Sequence, residues 1–315
     1  MSAPHGPDAL EREAAADYLR AAQEAAAAVI ARYSTSFGWA TRLLGEPVRR
    51  RTRAVYALVR VADEIVDGAA AGCGQDAAAV REALDDYERR TEQAMATGFS
   101  TDLVLHAFAE AARAGGVTPA ETATFFASMR MDLERAAHTE DSFAQYVDGS
   151  AEVVGLMCLR LFVTDSSPEP VEPGPELVAG ARRLGAAFQK VNFLRDLRAD
   201  AEDRERAYFP GVDPATLDDV GRDALLDDID ADLAAAQRAI TALPPTSRAA
   251  VQLAHDLFAE LSATLRRTPA AKLRRTRVRV PDRRKAVLVA RTLRAVPGAR
   301  LRPVVPVPRA RRRHP

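Results

Sequence analysis

Residues 54–68, AVYALVRVADEIVDG, and residues 185–210, GAAFQKVNFLRDLRADAEDRERAYFP, decide how this chain of 315 residues is read. Each sets two aspartates four apart into an otherwise apolar run: Asp63 and Asp67 in the first, Asp196 and Asp200 in the second. Residues three or four apart share one face of an α-helix. Tyr56, Arg60, Asp63 and Asp67 therefore form a polar stripe among Val55, Ala57, Leu58, Val59, Val61, Ala62, Ile65 and Val66. A surface helix shows the reverse balance, with a wide polar arc and a narrower apolar one. The stretch is predicted to be a buried helix whose stripe faces an internal cavity. The second stretch repeats the pattern, with Gln189, Asn192, Asp196 and Asp200 flanked by Ala186, Ala187, Phe188, Val191, Phe193, Leu194 and Leu197.

Spacing alone says little, because 44 acidic residues in 315 give roughly six such pairs by chance. The apolar setting, its repetition, and the amides and arginines on the same faces carry the reading. A buried, unpaired carboxylate costs several kcal/mol or more, so four of them call for cations. Hard divalent ions take oxygen ligands, and Mg²⁺ is usually completed by waters and substrate phosphates. No softer site competes: Cys73 and Cys158 are far apart, and the five histidines form neither HxxxH nor HExxH. No GxxxxGK[ST] loop and no GxGxxG after a strand points to a nucleotide-binding domain. Magnesium with a phosphorylated, otherwise apolar substrate is the inference.

Alanine and leucine are abundant, no segment alternates as a strand does, and periodic segments of helical length fill the chain. The fold class is therefore all-α, in one domain at 21–295, with an N-terminal extension at 1–20. Thr118, Pro119 and Glu121 predict a capping box with proline in the first turn. Pro173 with Pro175, and Pro244 with Pro245, mark two further helix starts. The apolar run 153–163 is too short to span a membrane and contains Arg160, so it reads as a core helix. Two isolated cysteines and a polar, alanine-rich beginning place the chain in the cytoplasm.

The formal net charge of zero conceals an asymmetry. From Arg266 onward stand 18 Lys or Arg against one acid, Asp282, while the preceding residues carry 26 against 43. A basic amphipathic segment, RTRVRVPDRRKAVLVARTLRA, is followed by a Pro/Arg-rich tail at 296–315 that is expected to be disordered. Two roles stand side by side: contact with an anionic membrane surface, or packing on the domain with arginines neutralising its acids. Nucleic acid is not expected as a partner, since no aromatic residues interleave the charge.

The segments RYSTSFGWATRLL, RRTRAVYALVRVADEIVDG, AAFQKVNFLRDLRADAEDRERAYFP and RVRVPDRRKAVL resemble, in order and spacing, the trans-isoprenyl diphosphate synthases that join substrates head to head. This is the squalene/phytoene synthase family, and the likeness is greatest to its bacterial, carotenoid-forming members. The resemblance implies an isoprenoid-synthase helical bundle around a central hydrophobic cavity. It assigns Asp63, Asp67, Asn192, Asp196 and Asp200 to Mg²⁺, with Mn²⁺ as a substitute. Arg60, Arg195 and Gln189 would contact substrate. Ser34 and Ser36 would touch phosphate, although Ser34 reads equally as a helix cap. Phe37 would line the hydrocarbon channel, and Tyr56, Tyr146 and Tyr208 would stand near the reaction centre. Tyr33 replaces a histidine common in the family, and Ala199 a glutamate.

The implied reaction joins two geranylgeranyl diphosphates through a cyclopropylcarbinyl diphosphate to phytoene, ending in proton loss without NADPH. Its prenyl diphosphate substrates, a membrane surface and downstream carotenoid enzymes are the implied partners. The alternative is a squalene or dehydrosqualene synthase using two farnesyl diphosphates. A chain-elongating or cyclising terpene synthase is disfavoured because Ala62 precedes Asp63 where DDxxD requires an acid. A catalytically silent, membrane-docking scaffold is disfavoured by retention of all four aspartates. Phe125, Phe126, Met129, Met157 and Phe162 are the candidates for the bottom of the cavity.

Overall fold

The computed structural model describes residues 8–302 apart from Thr35, Arg204, Glu205 and Pro297, and it leaves out the side chains of Ser36 and residues 200–203. The described chain is all-α. In order it forms α1 (Ala9–Tyr33), α2 (Ser36–Thr41), α3 (Val48–Val66), α4 (Ala69–Gly72), α5 (Ala77–Thr97), α6 (Leu103–Gly115), α7 (Pro119–Glu134) and α8 (Glu140–Val147). A π-helical turn, Asp148–Glu152, joins α8 to α9 (Val153–Thr164). Then follow α10 (Pro175–Asp203), α11 (Asp219–Ile240), α12 (Pro245–Arg266), α13 (Ala270–Leu273) and α14 (Asp282–Ala295). The one isolated β-bridge among the described residues pairs Ala137 with Ala207.

The helix starts follow local chemistry. Thr118 and Glu121 form the reciprocal capping box ahead of α7, satisfying amides that have no partner within the helix. α10 and α12 begin at Pro175 and Pro245, where the missing amide hydrogen costs nothing. The apolar run 153–163 becomes α9, with Leu156, Met157, Leu159, Leu161 and Phe162 each at most 8% exposed. Such burial is worth roughly 1.5–3 kcal/mol per side chain. Arg160 is accommodated because its guanidinium reaches Glu121 and Glu172, both at 2.7 Å.

Three apolar clusters hold the bundle together. One joins α1, α3, α5, α6, α7 and α9 around Leu58, Phe108 and Phe125; a second joins α8, α10, α11 and α12 around Leu194 and Phe258. The third closes one end with Leu44, Phe162, Ile240, Leu243 and Leu257, and docks α14 through Leu288 and Val289. α10 lies against α9 and the π-helical turn at backbone distance. A Cβ at Gly185 would stand 2.5 Å from the Ala151 carbonyl oxygen, and one at Gly155 would stand 2.8 Å from that of Ala181. Glycine is required at both crossings, which bring the polar stripe of α10 toward α8.

The boundary expected at residue 20 falls inside α1, where the Tyr18 hydroxyl donates to the Ser100 carbonyl at 2.9 Å. Of the stretch from 296 onward expected to be disordered, four described residues make contacts with the domain. Val296, Ala299 and Leu301 pack on the third cluster, and Arg302 pairs with Arg42 through both its amide and its carbonyl. The tail at 303–315 lies outside the described residues. No helix among the described residues is long and apolar enough to cross a membrane.

Candidate active site

A cavity of about 940 Å³ runs between the three clusters. One end is polar: Tyr56, Arg60 and Asp63 of α3, Gln189, Asn192 and Arg195 of α10, and Arg277, Arg279 and Lys285 from the C-terminal segment line it. The other end is apolar, closed by Leu159, Phe162, Leu177, Ile240 and Leu243. Both predicted stripes thus face one space, that of α3 through Tyr56, Arg60 and Asp63 and that of α10 through Gln189 and Asn192.

Asp63 retains 32% of its side-chain area and lines the cavity. Burial, reinforced by Asp67 and opposed by Arg60, pushes its carboxyl up to about 8. Arg60 is a distant counterion, 3.9 Å away, because its guanidinium is engaged by Glu64 and lies 4.5 Å from the centre of the Tyr33 ring. On the facing helix the Asn192 Oδ1 is buried without a hydrogen-bond donor.

Two further motif carboxylates, those of Asp67 and Asp196, are held by arginines. Asp67 follows the last residue of α3 and pairs with Arg206 at 2.9 Å instead of continuing the stripe into the cavity. Asp196 is gripped by its neighbour Arg195 at 3.0 Å and by Arg277 at 2.6 Å. The Asp200 side chain lies outside the described residues. No three His, Cys, Asp or Glu side chains among the described residues form a ready-made metal cage. A half-buried carboxylate on the cavity wall and an orphaned amide oxygen nonetheless suit Mg²⁺, which takes one or two carboxylates and leaves the rest of its shell to water and phosphate.

Sequence reasoning did not single out Asp132. It is 5% exposed in its side chain and accepts hydrogen bonds from the Tyr146 hydroxyl at 2.7 Å and the Tyr208 hydroxyl at 3.0 Å, with Arg206 at 3.5 Å. Burial pushes its carboxyl up to about 6, against the pull of Arg206 and the Tyr146 hydrogen bond. Burial also raises Tyr146 well above the phenol range, with Asp132 adding to the effect. Tyr146 lines the cavity, whereas Tyr208 stands behind it, stacked on Phe193 at 4.0 Å. Among the described residues, Tyr208 is linked to the cavity wall through Asp132 and Tyr146. Arg277, Arg279 and Lys285 were also hidden, submerged in a basic run that reads as surface charge.

The aromatic positions divide similarly. Phe37 packs on Phe188 and Phe258 at 5.7 and 5.8 Å and lines the cavity beside Tyr56. Ser34 lines the cavity, and its hydroxyl caps α2 by accepting from the Phe37 amide at 3.1 Å. The Ser36 side chain lies outside the described residues. Of the candidates for the cavity bottom, Met129 and Phe162 line the space, whereas Phe125, Phe126 and Met157 are fully packed in the first cluster. Large apolar side chains fill cores as readily as they line cavities, so composition could not separate them.

Comparisons with known proteins agree with this architecture. The squalene/phytoene synthase family model matches residues 30–284. Phytoene synthase of Mycobacterium bovis is 33% identical over 216 residues, 64% of this chain and 63% of the relative, so the match spans less than two thirds of that protein. The 4,4'-diapophytoene synthase of Staphylococcus haemolyticus is 28% identical over 201 residues, 62% of this chain and 66% of the relative. Among solved structures, a dehydrosqualene synthase superposes with a TM-score of 0.72 at 19% identity, over 88% of this chain and 97% of that one. The family model covers most of the chain, and the chain belongs to the squalene/phytoene synthase family.

Proposed function

We propose that the chain is a Mg²⁺-dependent phytoene synthase that joins two geranylgeranyl diphosphates head to head and releases two diphosphates. One observation carries this reading: a long cavity has acids, amides and cations at one end and mostly apolar side chains, without charge, at the other. From Arg195 to Leu177 its wall spans 18 residues of α10, roughly 27 Å at the helical rise. At about 940 Å³ it stands near the upper end of ligand pockets, about 300–1,000 Å³. Such a space suits two long prenyl chains with their headgroups together.

In this reading Asp63, Asp67, Asn192, Asp196 and Asp200 hold Mg²⁺, which when bound stabilises negative charge on the departing diphosphates. Arg60, Arg195, Arg277 and Lys285 bind the diphosphate oxygens, and Gln189 orients them. Phe37, Tyr56 and Phe188 supply aromatic faces that favour a nearby cation, while the apolar walls exclude water from it. The first substrate loses diphosphate to give an allylic cation. The second substrate's double bond adds to it, and loss of a proton closes the cyclopropane. The cyclopropylcarbinyl diphosphate ionises and rearranges, and a second proton loss leaves the central double bond. Tyr146 with Asp132 is the proton-accepting pair on the cavity wall. No hydride donor enters this sequence, so NADPH is not required.

The test is incubation of purified protein with geranylgeranyl or farnesyl diphosphate and Mg²⁺, with and without NADPH, followed by hydrocarbon extraction. A forty-carbon triene at the centre of the chain, independent of NADPH and abolished by chelation, is the expected result. A thirty-carbon product made faster from farnesyl diphosphate would move the substrate to the shorter chain. Absence of hydrocarbon from both would defeat the reading.

The apolar floor should set the chain length. Ala250 lines the cavity near Leu243 and is 4% exposed. Ala250→Phe is expected to shift the ratio of kcat/KM values toward farnesyl diphosphate by at least about tenfold, the scale on which a few methylenes are discriminated. Overpacking should cost roughly 1–3 kcal/mol of stability. An unchanged ratio in a folded variant would place the chain ends elsewhere.

A further inference from the structure

The C-terminal basic segment divides into arginines used by the domain and arginines left outside it. Arg266 pairs with Asp227 and Asp230 at 2.9 Å, Arg284 with Glu260 at 2.8 Å, and Arg277 with Asp196. These neutralise acids of the bundle. Arg283, Arg291, Arg294 and Arg300 are exposed and have no acidic partner among the described residues.

Their placement on α14 is ordered. Leu288, Val289 and Thr292 are buried on the domain side. Arg283, Ala286, Val287, Ala290, Arg291 and Arg294 are exposed, and their spacing of three and four puts them on one outer stripe. Val287 is 54% exposed, and the residues between the arginines are small and apolar. The stripe is continuous with the cavity rim, because Asp282 and Lys285 in the first turn of α14 line the cavity together with Arg279. Asp282 is paired with Lys285 at 3.2 Å, which leaves the stripe cationic.

We propose that this outer stripe of α14, continued by Arg300 and Arg302, docks the protein on an anionic lipid bilayer and sets the polar end of the cavity at the headgroup level. Arginines spaced by alanine and valine suit a surface with diffuse negative charge and a shallow apolar layer. A single-stranded nucleic acid would instead favour aromatic platforms for its bases, and the stripe has none. The choice of lipid also rests on the proposed reaction, whose substrates and product are long hydrocarbons that partition into bilayers. Docking at the rim would let them enter and leave without crossing water.

The test uses the full chain and vesicles of phosphatidylglycerol with phosphatidylcholine, against phosphatidylcholine alone, read by flotation. Turnover is not needed for this readout, so the docking proposal and the proposed reaction fail separately. The wild-type protein should float with the anionic vesicles at low salt and be released at high salt. An Arg283→Ala, Arg291→Ala, Arg294→Ala triple variant should bind them roughly a hundredfold more weakly, at about fivefold per arginine. The corresponding triple lysine variant should retain binding, since charge and not guanidinium packing is at work. Equal binding by the alanine variant, equal binding to neutral vesicles, or capture by RNA without vesicle binding would each overturn the proposal.

Discussion

Asp63→Asn is expected to abolish hydrocarbon formation while making the metal-free protein more stable. The loss of turnover should reach at least roughly 10²–10³-fold, the scale for removing one group that stabilises developing charge. The gain in stability comes from the position of Asp63 in the fold. Burial, the nearby Asp67 and only a distant Arg60 raise its carboxyl to about 8. Between about 4 and about 8 the folded chain therefore keeps a proton that the unfolded chain has released. Folding is favoured at the acidic end of that window, and the advantage declines as the pH rises through it. Asparagine carries no charge to desolvate, so the variant should lose this pH dependence. Cavity water screens part of the cost, leaving roughly 1–3 kcal/mol at pH 8. For a chain of this size that is a rise of roughly 2–8 °C in the unfolding midpoint. Thermal scans at pH 5 and pH 8 should show the two proteins nearly equal at pH 5 and separated at pH 8. A wild-type protein with a flat profile, or a variant that keeps full turnover, would remove Asp63 from the role given to it. Residues held at such a cost mark a site where function has displaced stability.

The cavity walls on α3 and α10 could be read from spacing because helix periodicity fixes which side chains share a face before any partner is known. Tyr56, Arg60 and Asp63 follow that rule, and so do Gln189 and Asn192. The stripe runs out at Asp67, which follows the last residue of α3 and pairs with Arg206. Gly68, at a φ of 123°, ends the helix there, and face-sharing by spacing holds only inside a helix. Asp132 was invisible for a different reason: its partners Tyr146 and Tyr208 stand 14 and 76 residues away. A lone acid near the end of a helix carries no local signal of such company. The floor of the cavity is set by where helices diverge, and Gly155, Gly180 and Ala250 matter there as much as Phe162. Small residues at helix crossings read as ordinary packing until the backbones are placed. The C-terminal segment shows the same limit, since a run of arginines has one charge but serves Asp196, Glu260 and the outside in turn.

Asp132→Asn and Asp132→Ala should separate catalysis from architecture at the centre of the tyrosine cluster. The carboxylate accepts from two buried phenols and faces Arg206, which is itself 10% exposed in its side chain. Burial pulls the Arg206 guanidinium down, but Asp132, Tyr208 and Asp67 outweigh it and leave its charge reinforced. Alanine would remove the acceptor of both hydroxyls and one of the two carboxylates that face Arg206, at a cost of roughly 3–5 kcal/mol. Asparagine preserves the shape and an accepting oxygen, and Arg206 keeps Asp67 at 2.9 Å, so the loss should stay near 1–3 kcal/mol. The folded asparagine variant is then the informative one. If Tyr146 with Asp132 accepts the protons released in the proposed reaction, its turnover should fall by roughly 10²–10⁴-fold. The wild-type rate should also decline as the pH falls through about 6, where the carboxyl takes up its proton, and the residual rate of the variant should lack that limb. A scaffold role predicts the opposite pattern: turnover tracking the folded fraction measured by urea unfolding, with the acidic limb unchanged. The two outcomes differ in the pH profile even if both variants are slow, because only a titrating acceptor ties the rate to its own proton.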